Sequence, residues 1–425
     1  MTTASDPTAH AWDLRVPNAE QLRAYSTPIN LAFGGGMSDA EMDDWLSLAE
    51  PDRWVVAFES PESELPAGAA SAFSLRLTVP GAEIPVAAVT GVGVRPDHHR
   101  RGILRALMRR QLDDVRERGE SVAILWASEG TIYQRFGYGM GAMDGSLEVA
   151  TARTGFGPWH SLEGGVRIVE EGESATLIPA VYDAMRVRIP GALTRSPAWW
   201  SGGRGVLSDP EHSRHGAGPK FRVVYEAEGQ PEGYAIYRVK DDWDHRGPKG
   251  VLEVDEAVTV TPRAVRGLWR YLFDVDLVHT VKAHRMQVPS PLQYVLAEPR
   301  ALGLVAGDGL WVRLVDLPAA LAERRYGAVD SLVFDVADGF CPWNAGRWQI
   351  ATNGTPGEAE AHVVRTEAEP DLVLDISDLG AIYLGGTQPD ALATAGRIEE
   401  RTEGAVARAS RMFAAEQSPW CVMMF

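Results

Sequence analysis

Residues 89–110 read VTGVGVRPDHHRRGILRALMRR. An apolar strand ends at Val94, Pro96 breaks it, and the loop DHHRRG leads into an amphipathic helix. Ile103, Leu104, Leu107, Met108, Leu112 and Val115 recur at steps of three and four, and Gly119 stops the run. That pattern predicts a helix over 100–118. The first turn of a helix has free N–H groups and a partial positive charge, so it attracts anions. Gly102 lets the backbone approach a ligand closely, and Arg100 and Arg101 add charge. A dinucleotide fold would show GxGxxG and a nucleoside-triphosphatase GxxxxGKS or GxxxxGKT; this stretch has neither. The reading is a pyrophosphate held mainly by backbone amides.

A second stretch lies about thirty residues downstream: LWASEGTIYQRFGYG, residues 125–139. A short buried strand at Val122–Trp126 runs out into Ser128-Glu129-Gly130, and a short helix carries Tyr133. Together the two stretches resemble the GNAT superfamily of acyltransferases. Its phosphate motif is a strand, then V-x-P, then R-x-x-G or Q-x-x-G, then a helix. Val94-Arg95-Pro96 and Arg100-Arg101-Gly102-Ile103 carry the match. His99 stands where Gln or Arg is usual, and Leu104 where a second small residue is usual. The Leu is expected in a narrower subgroup, the Eis (enhanced intracellular survival) family of multi-acetylating aminoglycoside acetyltransferases. RRGILR (100–105), ASEGTIYQRFGYG (127–139), LWVRLVDLPAALAERRY (310–326), DLGAIYLGG (378–386) and the terminal Phe425 carry that closer resemblance.

The resemblance implies a mixed α/β (α+β) chain with three domains. An N-terminal GNAT domain spans 1–152, a degenerate GNAT domain 153–299, and a sterol-carrier-like α+β domain with a catalytic tail 300–425. It implies acetyl-coenzyme A as co-substrate. Val92, Gly93 and Val94 would pair with the pantetheine arm, Arg100, Arg101, Gly102, Ile103, Leu104 and Arg105 would surround the pyrophosphate, and Ser128 and Glu129 would line the cofactor. An amine attacks a thioester, and coenzyme A leaves as a thiolate that a nearby phenol can protonate. Tyr133 is thereby implied as general acid, and the Phe425 carboxylate as general base. A homohexamer and aminoglycoside resistance are implied in the same way.

The rest of the chain agrees. At 425 residues it is too long for one ordinary domain. Strand and helix patterns at Phe221–Glu226, Gly233–Val239, Val251–Val260, Arg263–Phe273 and Val281–Val288 repeat the order found before residue 150. The repeat lacks the phosphate loop: Thr261-Pro262 is followed by RAVRGLWRYLF, whose bulk predicts one cofactor per chain. Residues 152–165 read as a linker. From about 300 the pattern changes to alternating strands, and Trp199 and Trp200 read as core. The net charge of −17 argues against nucleic acid and anionic membranes and favours cationic small-molecule amines. No apolar run approaches the ~20 residues that span a bilayer. Cys341 and Cys421 are the only cysteines, which gives neither a disulfide framework nor a metal site and fits a cytoplasmic protein. The start, MTTASDPTAH, has no secretory pattern.

Two further features concern the acceptor. Between residues 38 and 64 nine acidic residues face one Arg. Asp39, Asp43 and Asp44 on the helix at 38–49, with Phe33 and Trp45 as an aromatic wall, predict a pocket for a polycationic amino sugar. The tail SPWCVMMF has no charged side chain, so it is expected to pack and hold the terminal carboxylate in place. Met424 adds no carboxylate there. Two alternatives remain open at this level: acetylation of protein lysine or N-terminal amines, and a non-catalytic lipid-binding protein built on the C-terminal segment.

Overall fold

The computed structural model describes residues 12–158 and 163–425. The start of the chain and residues 159–162 of the expected linker lie outside the described residues.

The first segment runs β1 (Asp13–Arg15), α1 (Leu22–Tyr25), α2 (Thr27–Ala32), α3 (Asp39–Leu46), β2 (Val55–Phe58), β3 (Gly68–Val79), β4 (Ala82–Val94), α4 (Ile103–Glu117), β5 (Val122–Trp126), α5 (Gly130–Tyr133), β6 (Gly139–Met140) and β7 (Met143–Ala150). The second has β8 (Gly165–Ile168), α6 (Glu171–Arg186), α7 (Pro197–Ser201), β9 (Phe221–Ala227), β10 (Gln230–Lys240), a small hairpin of β11 (Trp243–Asp244) and β12 (Gly247–Pro248), β13 (Gly250–Thr259), α8 (Pro262–Phe273), β14 (Val278–Met286), α9 (Leu292–Val295), β15 (Val305–Asp308) and β16 (Leu310–Leu314). The third has α10 (Leu317–Glu323), β17 (Ser331–Ala337), β18 (Gly346–Asn353), β19 (Glu360–Arg365), β20 (Leu372–Asp375), α11 (Ile376–Ile382), α12 (Pro389–Thr394), β21 (Glu399–Glu400) and α13 (Ala405–Phe413).

Residues 19–32 form a short helical turn followed by α1 and α2. Pro28 sits in the first turn of α2, where its missing N–H costs little. α3 opens with a capping box, in which Ser38 and Glu41 satisfy each other's backbone N–H groups.

The sheets do not follow the expected boundaries. The first seven-stranded sheet has the order β1-β2-β3-β4-β5-β16-β6, and the second β15-β7-β14-β13-β10-β9-β8. β7, expected in the domain ending at 152, is thus built into the second sheet. β16, expected in the domain starting at 300, is inserted between β5 and β6 of the first. The two GNAT-like units exchange a strand, so neither sheet is complete without chain from the other.

The third unit is a five-stranded sheet of order β19-β18-β17-β20-β21 with helices against it. One continuous core joins it to the first sheet. Val86, Ile124 and Val312 share that core with Phe334, Ile350 and Phe413. α11 packs on β16 and β6 so closely that a Cβ at Gly139 would lie 1.8 Å from the Ser377 carbonyl oxygen. The glycine is what allows backbone to meet backbone there. The buried Arg313–Asp338 pair, 2.6 Å apart, ties β16 to the loop after β17. Removing either partner alone would strand a buried charge.

Candidate active site

β4 and β5 run parallel only from Val86↔Val122 to Ala88↔Ile124. β5 pairs with β16 along its other edge for its whole length, from Leu314 opposite Val122 to Leu310 opposite Trp126. β4 stays on β3 as far as Val94. The strands therefore splay, and Val92–Val94 keep an open edge on the β5 side. A cleft of about 680 Å³ fills the gap, a size typical of ligand sites.

The phosphate end of the cleft is built by backbone. Arg100 has φ 63° and Gly102 φ 85°, so the chain turns sharply into α4. No side chain caps the start of α4, which leaves its first amides available to a ligand. A Cβ on Gly102 would meet nothing within 4 Å, so the left-handed φ, not crowding, calls for glycine. His99 reaches back to the Val94 carbonyl at 3.3 Å and closes the loop. That gives the unusual histidine a structural task.

The charges are sorted. Arg95 is held by Asp97, and Arg101 by Glu59, with Trp12 5.1 Å from the Arg101 guanidinium. Arg101 therefore faces away from the cleft, unlike the other cofactor residues expected from sequence, all of which line it. Arg100 and Arg105 have no carboxylate partner among the described residues. Arg135, which sequence reasoning missed, joins them in the cleft; its guanidinium bonds only the Ile132 carbonyl and lies over Phe136. In a chain where acids outnumber bases 58 to 41, unpaired arginines in one cleft point to an anionic ligand. The cleft fits the phosphates of acetyl-coenzyme A.

Tyr133 lies on the cleft wall opposite Val92–Val94 and is 6 % exposed. Its ring packs edge-on to Tyr138 at 6.0 Å. Burial, aided by the Glu129 carboxylate, pushes its pKa up to about 12. The phenol is fully protonated at neutral pH, as a proton donor must be.

The tail packs as expected. Trp420 is pinned by its backbone N–H to the Pro190 carbonyl (2.8 Å) and by its indole N–H to the Arg285 carbonyl (2.7 Å). The Trp126 indole donates to the Met423 carbonyl at 3.1 Å. Trp420 and Val422 enter the core of the central unit, while Cys421 and Met423 enter the core shared by the other two. Phe425 is partly buried against that shared core. The last residue therefore follows closely on a bond to the end of β5, the strand that leads into Ser128 and Glu129.

The acceptor side departs from expectation. Asp39 and Asp43 are exposed on the outer face of α3 and both pair with Arg23. Trp45 is buried against Trp54, ring centroids 5.3 Å apart, and serves the core. Asp44 and Phe33 do line a cavity, of about 460 Å³, with Glu41, Arg204, His212 and Lys220. Phe33 also borders the cofactor cleft, so the two cavities adjoin. Asp44 is held by His212 at 2.7 Å. Trp199 packs on Phe73 and Trp200 on Tyr182, as core residues.

Two acids were missed. Asp308 lies against Gly130 at the end of the cleft wall and accepts from the Trp311 indole at 2.8 Å. Asp144, on the neighbouring strand, has one buried carboxylate oxygen with no partner. Burial, with Asp308 adding to it, pushes the Asp144 pKa up to about 6. For a carboxyl raised above its unfolded value, the stabilising contribution is complete below pH ~4 and is lost as pH rises through ~6. Asp144→Asn should therefore raise the melting temperature by about 1 °C at pH 7.5, from about 1 kcal/mol after allowing for solvent screening. At pH 3.5 it should change little. Equal gains at both pH values in calorimetric scans would contradict the burial argument.

The central unit repeats the architecture without the cradle. Thr261 caps α8 by accepting from the Ala264 N–H at 3.2 Å, and Pro262 has no N–H to offer. Glu232, bonded to Thr261 and Arg263, adds negative charge. A pyrophosphate would find one of the first amides missing, another already capped and an unfavourable field. Titration calorimetry should give one acetyl-coenzyme A per chain; two would refute this. Among the described residues, no group of three or more His, Cys, Asp or Glu is placed to hold a metal, and no helix is long and apolar enough to cross a membrane.

The chain is similar to known proteins over nearly all its length. Models of an acetyltransferase (GNAT) domain match residues 13–141 and 191–314, and a model of a sterol carrier protein domain matches 317–422. A protein of Streptomyces avermitilis named as an uncharacterised N-acetyltransferase is 39% identical, over 96% of this chain and 98% of its own. N-acetyltransferase Eis of Mycobacterium tuberculosis is 32% identical, over 88% of this chain and 89% of its own. The crystal structure of Eis1 from Mycobacterium abscessus superposes with a TM-score of 0.80 at 31% identity, covering 98% of this chain and all of that one.

Proposed function

The chain belongs to the Eis family of GNAT-type N-acetyltransferases, and from that premise we propose that this acetyl-coenzyme A-dependent enzyme acetylates amines of aminoglycoside-like polycations, with Tyr133 as acid and the Phe425 carboxylate as base. What supports the reading is that Trp126, at the end of β5, bonds the tail at Met423, while Ser128, Glu129 and Tyr133, which follow β5, line the cleft; Phe425 is not itself among the lining residues.

Acetyl-coenzyme A supplies an activated acetyl group and a sulfur leaving group. Val92, Gly93 and Val94 offer it an open strand edge. Gly102, Ile103 and Leu104 present the start of α4, and Arg100, Arg105 and Arg135 neutralise phosphate charge. Ser128 and Glu129 close the opposite wall. The Phe425 carboxylate takes a proton from the incoming amine, directly or through water. Tyr133 gives its proton to the departing sulfur. Positioned proton transfer of this kind typically contributes ~10²–10⁴-fold.

The preference for polycations is supported by the overall charge of −17, which raises the local concentration of cations. Glu129 lines the cleft, Glu41 and Asp44 line the cavity that adjoins it, and Asp308 lies against Gly130 beside Asp144, while Asp39 and Asp43 stay outside. Family likeness extends the proposal to a homohexamer in the cytoplasm.

A thiol-release assay compares a kanamycin-like aminoglycoside with a lysine peptide. We expect kcat/KM at least about tenfold higher for the aminoglycoside, a difference of ~1.4 kcal/mol in transition-state binding. A preference for the peptide would move the assignment to protein acetylation.

A further inference from the structure

The central unit has lost the phosphate cradle but not the cleft. β13 and β14 run parallel from Gly250↔Val278 to Val254↔Ala283 and then separate, as β4 and β5 do. A groove of about 410 Å³ opens between their ends and α8. That is within the range of small-molecule sites. Its lining is apolar where Met185, Ile189, Val260, Val265 and Val295 meet.

Arg188 and Arg266 also line it, and neither has a carboxylate partner among the described residues. Two arginines close to them in sequence do not behave this way. Arg186 pairs with Glu83 and Asp183, and Arg263 with Glu228 and Glu232. The Nε of Arg266 is buried with no hydrogen-bond partner. A buried, unpaired donor costs free energy unless something satisfies it. In a strongly acidic protein, two unpaired arginines in one apolar groove define a site for an anion with an apolar body.

We propose that this groove binds one amphipathic anion per chain: an aliphatic chain ending in a carboxylate or a phosphate monoester. Arg188 and Arg266 hold the head group, and the chain lies on the surface of Val260, Val265 and Val295. A coenzyme A pyrophosphate is excluded by the Thr261 cap and by Pro262. The site is independent of the acceptor reading above.

The test titrates full-length protein, with acetyl-coenzyme A saturating the first unit, with laurate, dodecyl phosphate and dodecyltrimethylammonium below their micelle concentrations. Calorimetry should show one laurate or dodecyl phosphate per chain and no comparable binding of the ammonium amphiphile. Tighter binding of laurate identifies a carboxylate head, and of dodecyl phosphate a phosphate head. Arg188→Glu, on an exposed side chain, should weaken anion binding at least tenfold and leave the acetyl-coenzyme A titration unchanged. Arg266→Gln should do the same. The proposal is overturned by no saturable binding of either anion, by equal binding of the ammonium amphiphile, or by wild-type affinity in Arg188→Glu.

Discussion

Tyr133→Phe is expected to lower kcat by two to four orders of magnitude while acetyl-coenzyme A binds as before. The substitution removes one oxygen and nothing else. The hydroxyl has no hydrogen-bond partner among the described residues, so its loss orphans no buried group. The remaining ring keeps its edge-on contact with Tyr138 and its place on the cleft wall. Fold and cofactor affinity should therefore survive, and the damage should fall on kcat alone. The wild-type pH profile carries a second signature. A general acid works only when protonated, and burial pushes this phenol up to about 12. No loss of rate from tyrosine ionisation should be seen below about pH 11. Steady-state kinetics with an equilibrium cofactor titration measure both. A kcat within threefold of wild type would remove Tyr133 from the acid role.

The parts of this site legible in the sequence are those whose signal is local. Val94, Pro96, Gly102 and the three-and-four spacing of α4 lie within one short stretch, and each has a direct backbone consequence. Tyr133 follows from the stretch after β5. What was not legible depends on partners distant in the chain. β7 and β16 read as ordinary strands, and a period-two pattern does not say which sheet a strand joins. Their exchange carries each sheet across an expected boundary. Asp39 and Asp43 sit on a correctly expected helix, but Arg23 on α1 claims them from outside. Asp144 and Asp308 were missed because that same exchange brings their strands together. α6 escaped notice because Gly172 and Pro179 interrupt its pattern. In each case the local propensity was sound and tertiary contact decided the role.

Removing Phe425 is the second large effect expected, and extending the chain by one residue should match it. Either change moves the terminal carboxylate by about one residue, ~3.5 Å along an extended chain. A misplacement of ~1 Å at a reacting centre can already cost ~10²-fold, so a kcat loss of at least that size is expected from both. The two variants differ in a useful way. Deletion also removes a partly buried ring from the shared core. Extension keeps the ring and displaces only the charge. The anchors upstream, Trp420 to Pro190 and Arg285 and Trp126 to Met423, are untouched in both. Melting temperature and acetyl-coenzyme A affinity should therefore stay near wild type in the extended chain, with the loss confined to turnover. Equal loss in the two variants assigns the effect to the carboxylate; loss on deletion alone assigns it to the ring. An extended enzyme that turns over at the wild-type rate takes the base away from Phe425, whatever Tyr133→Phe does, because only the base depends on where the chain ends.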